Sequence, residues 1–247
     1  MVKQPKFQAV LFDLDGTLLD TAPDFLTCTN RLLDGRGMPL LTEDDIRKMV
    51  THGSAGIISQ TFSLHNSHPD FEPLRQELLS LYMDNLAEQT RPFPGIAELL
   101  AELSEYQIPW GIVTNKPERY TLALLERLQL TSSPSTIICP DHVTRTKPDP
   151  ESVLLALREL AIAPEAAVFI GDHLRDIEAG IRAGTATIAA AYGYLDDSED
   201  PGSWGATYTV DDAHQLSPLI FERKPHESHP VSSTRYPAGR QGYRCHW

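Results

Sequence analysis

Ala9-Val10-Leu11-Phe12-Asp13-Leu14-Asp15-Gly16-Thr17-Leu18-Leu19-Asp20-Thr21 is the stretch on which the fold turns. Its first four residues form an apolar run that is short enough for a strand and continuous enough to be covered on both faces. The run stops at Asp13, and Asp15 follows where Gly16 lets the backbone turn. Two carboxylates at one strand end can face one site. They repel unless a hard divalent cation lies between them, and magnesium prefers carboxylate oxygens, so Asp13 and Asp15 are expected to hold Mg2+. An ionised Asp13 can attack phosphorus in line, while Asp15 gives a proton to the leaving alkoxide and then activates water.

Further strand-like runs cover 108–113, 136–139, 166–170 and 187–191, and helix-period segments cover 95–106, 117–128, 150–160 and 174–183. Such alternation implies parallel βαβ units. The expected fold is therefore α/β, a doubly wound parallel sheet covered by helices on both faces. The polar groups that stand out fall at the C-terminal ends of the strands, the edge where open parallel sheets bind ligands. These are Thr114-Asn115, Lys147 in its Thr-Lys-Pro-Asp-Pro loop, and Gly171-Asp172.

Residues 20–90 break the alternation. Leu26, Leu32 and Leu33 share one helical face, Ile46, Met49 and Val50 begin another after the candidate N-cap Thr42, and Leu74, Leu78, Leu79, Leu81 and Tyr82 form a third. The stretch reads as a small all-helical cap inserted after the first strand. The expected division is a core of 1–19 and 91–223, a cap of 20–90, and a disordered tail of 224–247, rich in Pro, Ser, His, Gly and Arg.

With 247 residues and a formal charge of −13, the chain is large enough for a core domain plus an insert and too acidic to favour nucleic acid or an anionic membrane. A phosphorylated substrate needs a local inversion of that field. Cys28, Cys139 and Cys245 stand far apart with no metal-binding spacing, which suits a reducing cytoplasm. No run approaches the ~20 apolar residues of a membrane span. With no signal peptide in evidence, the expected location is cytoplasmic, as a monomer or homodimer.

Read in full, Phe-Asp-x-Asp-Gly-Thr-Leu-x-Asp-Thr at 12–21 resembles the first motif of the haloacid dehalogenase superfamily of hydrolases. Thr114-Asn115 resembles the second motif, and the resemblance implies that both bind the transferring phosphoryl group. Lys147 resembles the third, as the cation that balances the nucleophile and the phosphate oxygens. Gly171-Asp172-His173-Leu174-Arg175-Asp176 resembles the fourth, which implies Asp172 as a magnesium ligand and Asp176 as its support. Asp15 sets the chain apart from the dehalogenating branch, which lacks that residue. The helical insert is similar to the cap of the phosphoglycolate phosphatase-like group, where the loop at Thr51-His52-Gly53-Ser54 would read the substrate, with His52 and Gly53 as candidate contacts.

Stretches such as Trp110-Gly111-Ile112-Val113-Thr114-Asn115-Lys116-Pro117 and Cys139-Pro140-Asp141-His142-Val143 resemble a proteobacterial branch that includes the N-acetylmuramic acid 6-phosphate phosphatases of cell-wall recycling. The expected substrate is therefore a small phosphorylated metabolite, either that sugar phosphate or 2-phosphoglycolate. The loop near His52 is small and neutral, which favours the larger of the two. Arg47, Lys48 and Arg75 are the candidate anchors for a substrate carboxylate. The alternatives are a phosphosugar mutase of the same fold and a non-catalytic binding protein that retains it.

Overall fold

The computed structural model describes residues 2–224. Its centre is a six-stranded sheet built from β2 (Ala9–Phe12), β5 (Trp110–Val113), β6 (Thr136–Ile138), β7 (Ala167–Gly171), β8 (Ala186–Ala190) and β9 (Tyr208–Val210). The spatial order is β6-β5-β2-β7-β8-β9, and every pairing within it is parallel. The chain moves outward from β2 to one side and then returns to the other, so β2 has β5 and β7 as neighbours. That reversal opens a crevice beyond the C-terminal end of β2, and Asp13 is the residue that enters it.

Side-chain alternation on β2 supplies both layers of the core. Ala9 and Leu11 join Val153, Leu157 and Ala179 on one face, under α7 (Glu151–Leu160) and α8 (Leu174–Ala183). Val10 and Phe12 join Leu100, Leu103 and Leu124 on the other, under α5 (Ile96–Glu105) and α6 (Glu118–Arg127). All four β2 side chains are fully buried, and each large one contributes about 1.5–3 kcal/mol through the area it removes from water.

Four helices lie between two short crossings of the chain. They are α1 (Ala22–Asp34), α2 (Glu43–Val50), α3 (Gly53–Phe62) and α4 (Phe71–Asp84). Thr42 caps α2 in a reciprocal box with Asp45. The crossings, β3 (Leu19–Asp20) and β4 (Arg91–Pro92), pair with each other antiparallel. Asp24, at the start of α1, accepts hydrogen bonds from Gln89 N and Thr90 Oγ1 and fastens the same junction a second time. The apolar faces of the four helices, with Phe25, Ile46, Ile57 and Tyr82 in contact, run without a break into the Val10/Phe12 side of the core.

The fold class is as expected. The structure adds elements that the sequence reading lacked. β1 (Val2–Pro5) precedes Ala9 and pairs antiparallel with β10 (Phe221–Lys224), which follows the short α9 (Leu216–Ile220). α3 occupies a stretch read only as a loop and its surroundings, because Gly53 and Gly56 weaken its helical signal. Lys224, taken as the start of the tail, ends β10; the rest of the expected tail, with Cys245, lies outside the described residues. Among the described residues no helix is long and apolar enough to cross a membrane.

Candidate active site

Asp13 leaves β2 with its amide N–H donating to Ile170 O at 2.8 Å, so the nucleophile candidate is fixed to the neighbouring strand β7. Its side chain is 8% exposed. Lys147 Nζ lies 2.8 Å from Asp13 Oδ1, 2.7 Å from Val113 O and 2.8 Å from Asp176 Oδ1. The buried ammonium thus makes two hydrogen bonds and a further ion pair, and no described donor reaches Asp13 Oδ2. Asn115 Nδ2 donates to Lys147 O at 3.2 Å, so the loop after β5 holds the lysine's own backbone in place. Thr114 is buried beside it, its hydroxyl accepting from Lys116 N.

Asp172 follows β7. Its carboxylate accepts from Thr17 Oγ1 at 3.0 Å and from Tyr194 N at 2.9 Å. Two glycines make room for it. A Cβ on Gly16, where φ is +88°, would fall 2.0 Å from Asp172 Oδ2, and one on Gly193 would fall 2.3 Å from both Asp172 Cβ and Gly16 O. Asp176 has two roles on two oxygens. Oδ2 accepts from His173 N at the start of α8, and Oδ1 pairs with Lys147. His173 is held neutral, its pKa lowered to about 4 by burial and by Arg175.

Oxygens of Asp13, Asp172 and Asp176 lie within 4.8 Å of one another, all in buried residues. One ammonium stands against three carboxylates, which leaves excess negative charge in a dry place. Burial, followed by the fields of Asp13 and Asp176, drives the Asp172 carboxyl well above its ordinary range. Burial likewise raises Asp13, against the opposing pull of Lys147. A set of hard oxygen donors with unbalanced charge fits a divalent cation such as Mg2+.

The Asp15 carboxylate stands apart from that cluster. Its Oδ1 accepts from Thr21 Oγ1 at 2.6 Å and from Lys116 Nζ at 2.9 Å. A cavity of about 800 Å³ opens from Asp13 and Asp15 toward the four helices, and His52, Gly53, Thr114 and Asn115 line it. His52 occupies the N-cap position of α3 without a side-chain cap bond. Gly53 there has φ +65°, a conformation that favours glycine.

Gly53, Ser54 and Ala55, the first residues of α3, line the cavity as a neutral surface, but two guanidinium groups line it as well. Arg75 on α4 donates through Nε to Ser54 Oγ and through Nη1 to Glu72, and Arg175, in the first turn of α8, donates through Nη2 to Thr51 O. Arg175 Nε is buried without a hydrogen-bond partner. Of the other anchors considered, Arg47 is engaged by Asp20 and Glu43 and Lys48 by Asp197. Sequence reasoning missed Arg175 and Lys116. Both lie inside quoted motifs, but only the fold shows where their side chains reach. Cys28 and Cys139 are buried thiols with pKa values raised by burial to about 12 and 11, and neither lines the cavity.

A Haloacid dehalogenase-like hydrolase family model matches residues 10–190, which include Asp13, Asp15, Thr114, Asn115, Lys147, Asp172 and Asp176. The chain belongs to that family. Across 219 residues it is 45% identical to the N-acetylmuramic acid 6-phosphate phosphatase of Pseudomonas aeruginosa, covering 89% of this chain and 97% of that protein. It is 38% identical to a phosphoglycolate phosphatase of Xanthomonas campestris pv. campestris, covering 85% and 94%. A crystal structure of a predicted phosphoglycolate phosphatase from Haemophilus somnus superimposes with a TM-score of 0.75 at 22% identity, over 87% of this chain and 98% of that one, which speaks for the fold. Within the haloacid dehalogenase-like hydrolases the chain is a phosphoric monoester hydrolase.

Proposed function

We propose that this hydrolase is magnesium-dependent, works through an aspartyl-phosphate on Asp13, and uses residues 20–90 as a cap over a carboxylate-bearing sugar phosphate. N-acetylmuramic acid 6-phosphate ranks ahead of 2-phosphoglycolate. The observation that carries the substrate reading is the cavity of about 800 Å³ that begins at Asp13 and has Arg75 and Arg175 among its lining residues. Both candidate substrates bear a carboxylate for a guanidinium to bind. 2-Phosphoglycolate would leave most of that volume unfilled, whereas a substituted amino sugar would occupy it. The similarity to the Pseudomonas aeruginosa protein supports the same order.

The proposed steps use the groups in place. Asp13 Oδ2, which has no described donor, attacks phosphorus as the ester P–O bond breaks. Lys147 steadies Asp13 through Oδ1 and offsets charge on the equatorial oxygens. Thr114 and Asn115 bind the phosphoryl group from the β5 side. Asp15 gives its proton to the leaving oxygen, then takes one from the water that releases inorganic phosphate and restores Asp13. Asp13 and Asp172 would hold Mg2+, with Asp176 beside them; when bound, the ion supplies charge neutralisation and polarises phosphate oxygens. The Asp15 side chain serves proton transfer, since it lies outside the carboxylate cluster.

Phosphate release with Mg2+ should be compared for N-acetylmuramic acid 6-phosphate, 2-phosphoglycolate, hexose phosphates and nucleotides by kcat/KM. If both leading candidates rank low, the substrate assignment fails. Asp13→Asn should abolish release while the protein stays folded. Unchanged turnover would sink the covalent mechanism. A mutase would need an activating bisphosphate and would return the phosphoryl group to sugar; steady release of inorganic phosphate without one excludes it.

A further inference from the structure

Lys116 is a buried cation to which the steps above give no task. Its side chain is 7% exposed, and its Nζ lies 2.9 Å from Asp15 Oδ1 and 2.9 Å from the Tyr82 hydroxyl. The ammonium also sits 5.3 Å from the Phe25 ring centroid and 4.7 Å from that of Tyr82, and those two rings stack on each other at 3.9 Å. An ammonium so placed gains from the ring faces as well as from the carboxylate. Phe25 belongs to α1 and Tyr82 to α4, so the helices between β3 and β4 fix where this charge stands.

Asp15 shows the complementary pattern. Thr21 and Lys116 both bind Oδ1, and no described donor reaches Oδ2. A carboxylate held through one oxygen by two donors cannot rotate freely, and its other oxygen is then the one available for proton transfer. Asp15 lines the cavity in which the ester oxygen must lie.

We infer that Lys116 is a positioning residue for Asp15: it holds Oδ1 so that Oδ2 faces the leaving oxygen, and it makes that orientation depend on the seating of α1 and α4. The inference rests on the acid–base role proposed above for Asp15. In the step concerned, the Asp13–phosphorus bond forms, the ester P–O bond breaks, and the leaving oxygen takes the proton from Asp15 Oδ2. Lys116 exchanges no proton. The competing assignment is direct binding of the substrate's phosphate by Lys116, which would matter equally for every ester.

The test separates these through the leaving group. The alkoxide of N-acetylmuramic acid 6-phosphate needs a proton, whereas p-nitrophenolate leaves without one. kcat/KM reports the reaction through the departure of the leaving group. Lys116→Met keeps the apolar stem against the rings and removes the ammonium. It should lower kcat/KM for the sugar phosphate by about 10- to 100-fold, the cost of a misplaced catalytic group, and leave p-nitrophenyl phosphate within about threefold. Lys116→Arg should recover part of the loss. Tyr82→Phe, which retains the ring stack, should show a smaller loss with the same substrate pattern and carries the test if Lys116→Met does not fold. Equal losses on both esters, or none, overturn the inference. Asp15→Asn run in parallel keeps the two readings apart: without a leaving-group-dependent loss there, the acid role itself fails, whereas such a loss there but not at Lys116 refutes the Lys116 inference alone.

Discussion

The Tyr194 hydroxyl donates to Asp20 Oδ1 at 2.8 Å, joining the loop after β8 to the point where the chain leaves the core for α1. The same oxygen accepts from Thr21 N at 2.6 Å and Ala22 N at 2.8 Å, so one buried phenol satisfies two backbone donors at the start of a helix that has no side-chain cap.

Tyr194→Phe should therefore leave those donors unpaired and destabilise the protein by about 1–3 kcal/mol. Chemical denaturation with an unchanged m-value is the measurement. A loss below about 0.5 kcal/mol, the ordinary scatter of surface changes, would show that water replaces the phenol at this junction.

Gly193→Ala should weaken divalent-cation binding without abolishing folding. The added methyl meets Asp172 Cβ and Gly16 O, each at 2.3 Å, so Asp172 must move. The expected result is a rise in the Mg2+ concentration for half-maximal activity, with much of kcat regained at saturating metal. An unchanged Mg2+ dependence would count against Asp172 as a ligand.

Asp172 also links stability to pH in the protein stripped of divalent cations. A carboxyl whose folded-state pKa is raised holds its proton more tightly when folded. Its contribution is thus fully present below its ordinary value of 3.8 and is lost as pH rises through the raised folded-state value. Asp172→Asn removes that loss, so in EDTA the variant should gain stability relative to the native protein as pH rises above about 4. Saturating Mg2+ should reverse the order by stabilising only the native site. Thermal melts of both proteins across pH, with and without Mg2+, test both halves.

Arg175→Gln and Arg75→Gln should each lower kcat/KM for carboxylate-bearing phosphate esters by about 10- to 100-fold, the value of a charge-assisted hydrogen bond. A hexose phosphate, which has no carboxylate, should be affected far less. Equal losses on both substrate types would place the arginines outside substrate recognition.

The central strands were readable because 9–12 and 166–170 are continuous apolar runs, which only a doubly covered sheet requires, and because each ends in a carboxylate. Those ends carried most of the site: Asp13, Thr114, Asn115, Lys147, Asp172 and Asp176 converge. The β1–β10 ribbon could not be read, since Val2 meets Lys224 through a pairing that no local pattern encodes. β9 is a short strand at the sheet's edge and carries only a weak alternation. The sequence also could not say that Lys116 turns toward Asp15, or that Arg175 reaches the carbonyl of Thr51. Those contacts depend on where two packed elements bring their surfaces together.

Because β3 and β4 are hydrogen-bonded neighbours, the chain departs and returns at almost the same point. The helices between them are inserted like a cassette, and residues can be gained, lost or exchanged there without altering the register of any of the six parallel strands. A lineage can thus change which molecule it accepts while inheriting its bond-breaking groups intact. The exception is the support of Asp15: Thr21 and Tyr82, the partner of Lys116, both lie on the exchangeable side, so replacement of the cassette would have to supply new supports for the proposed proton donor.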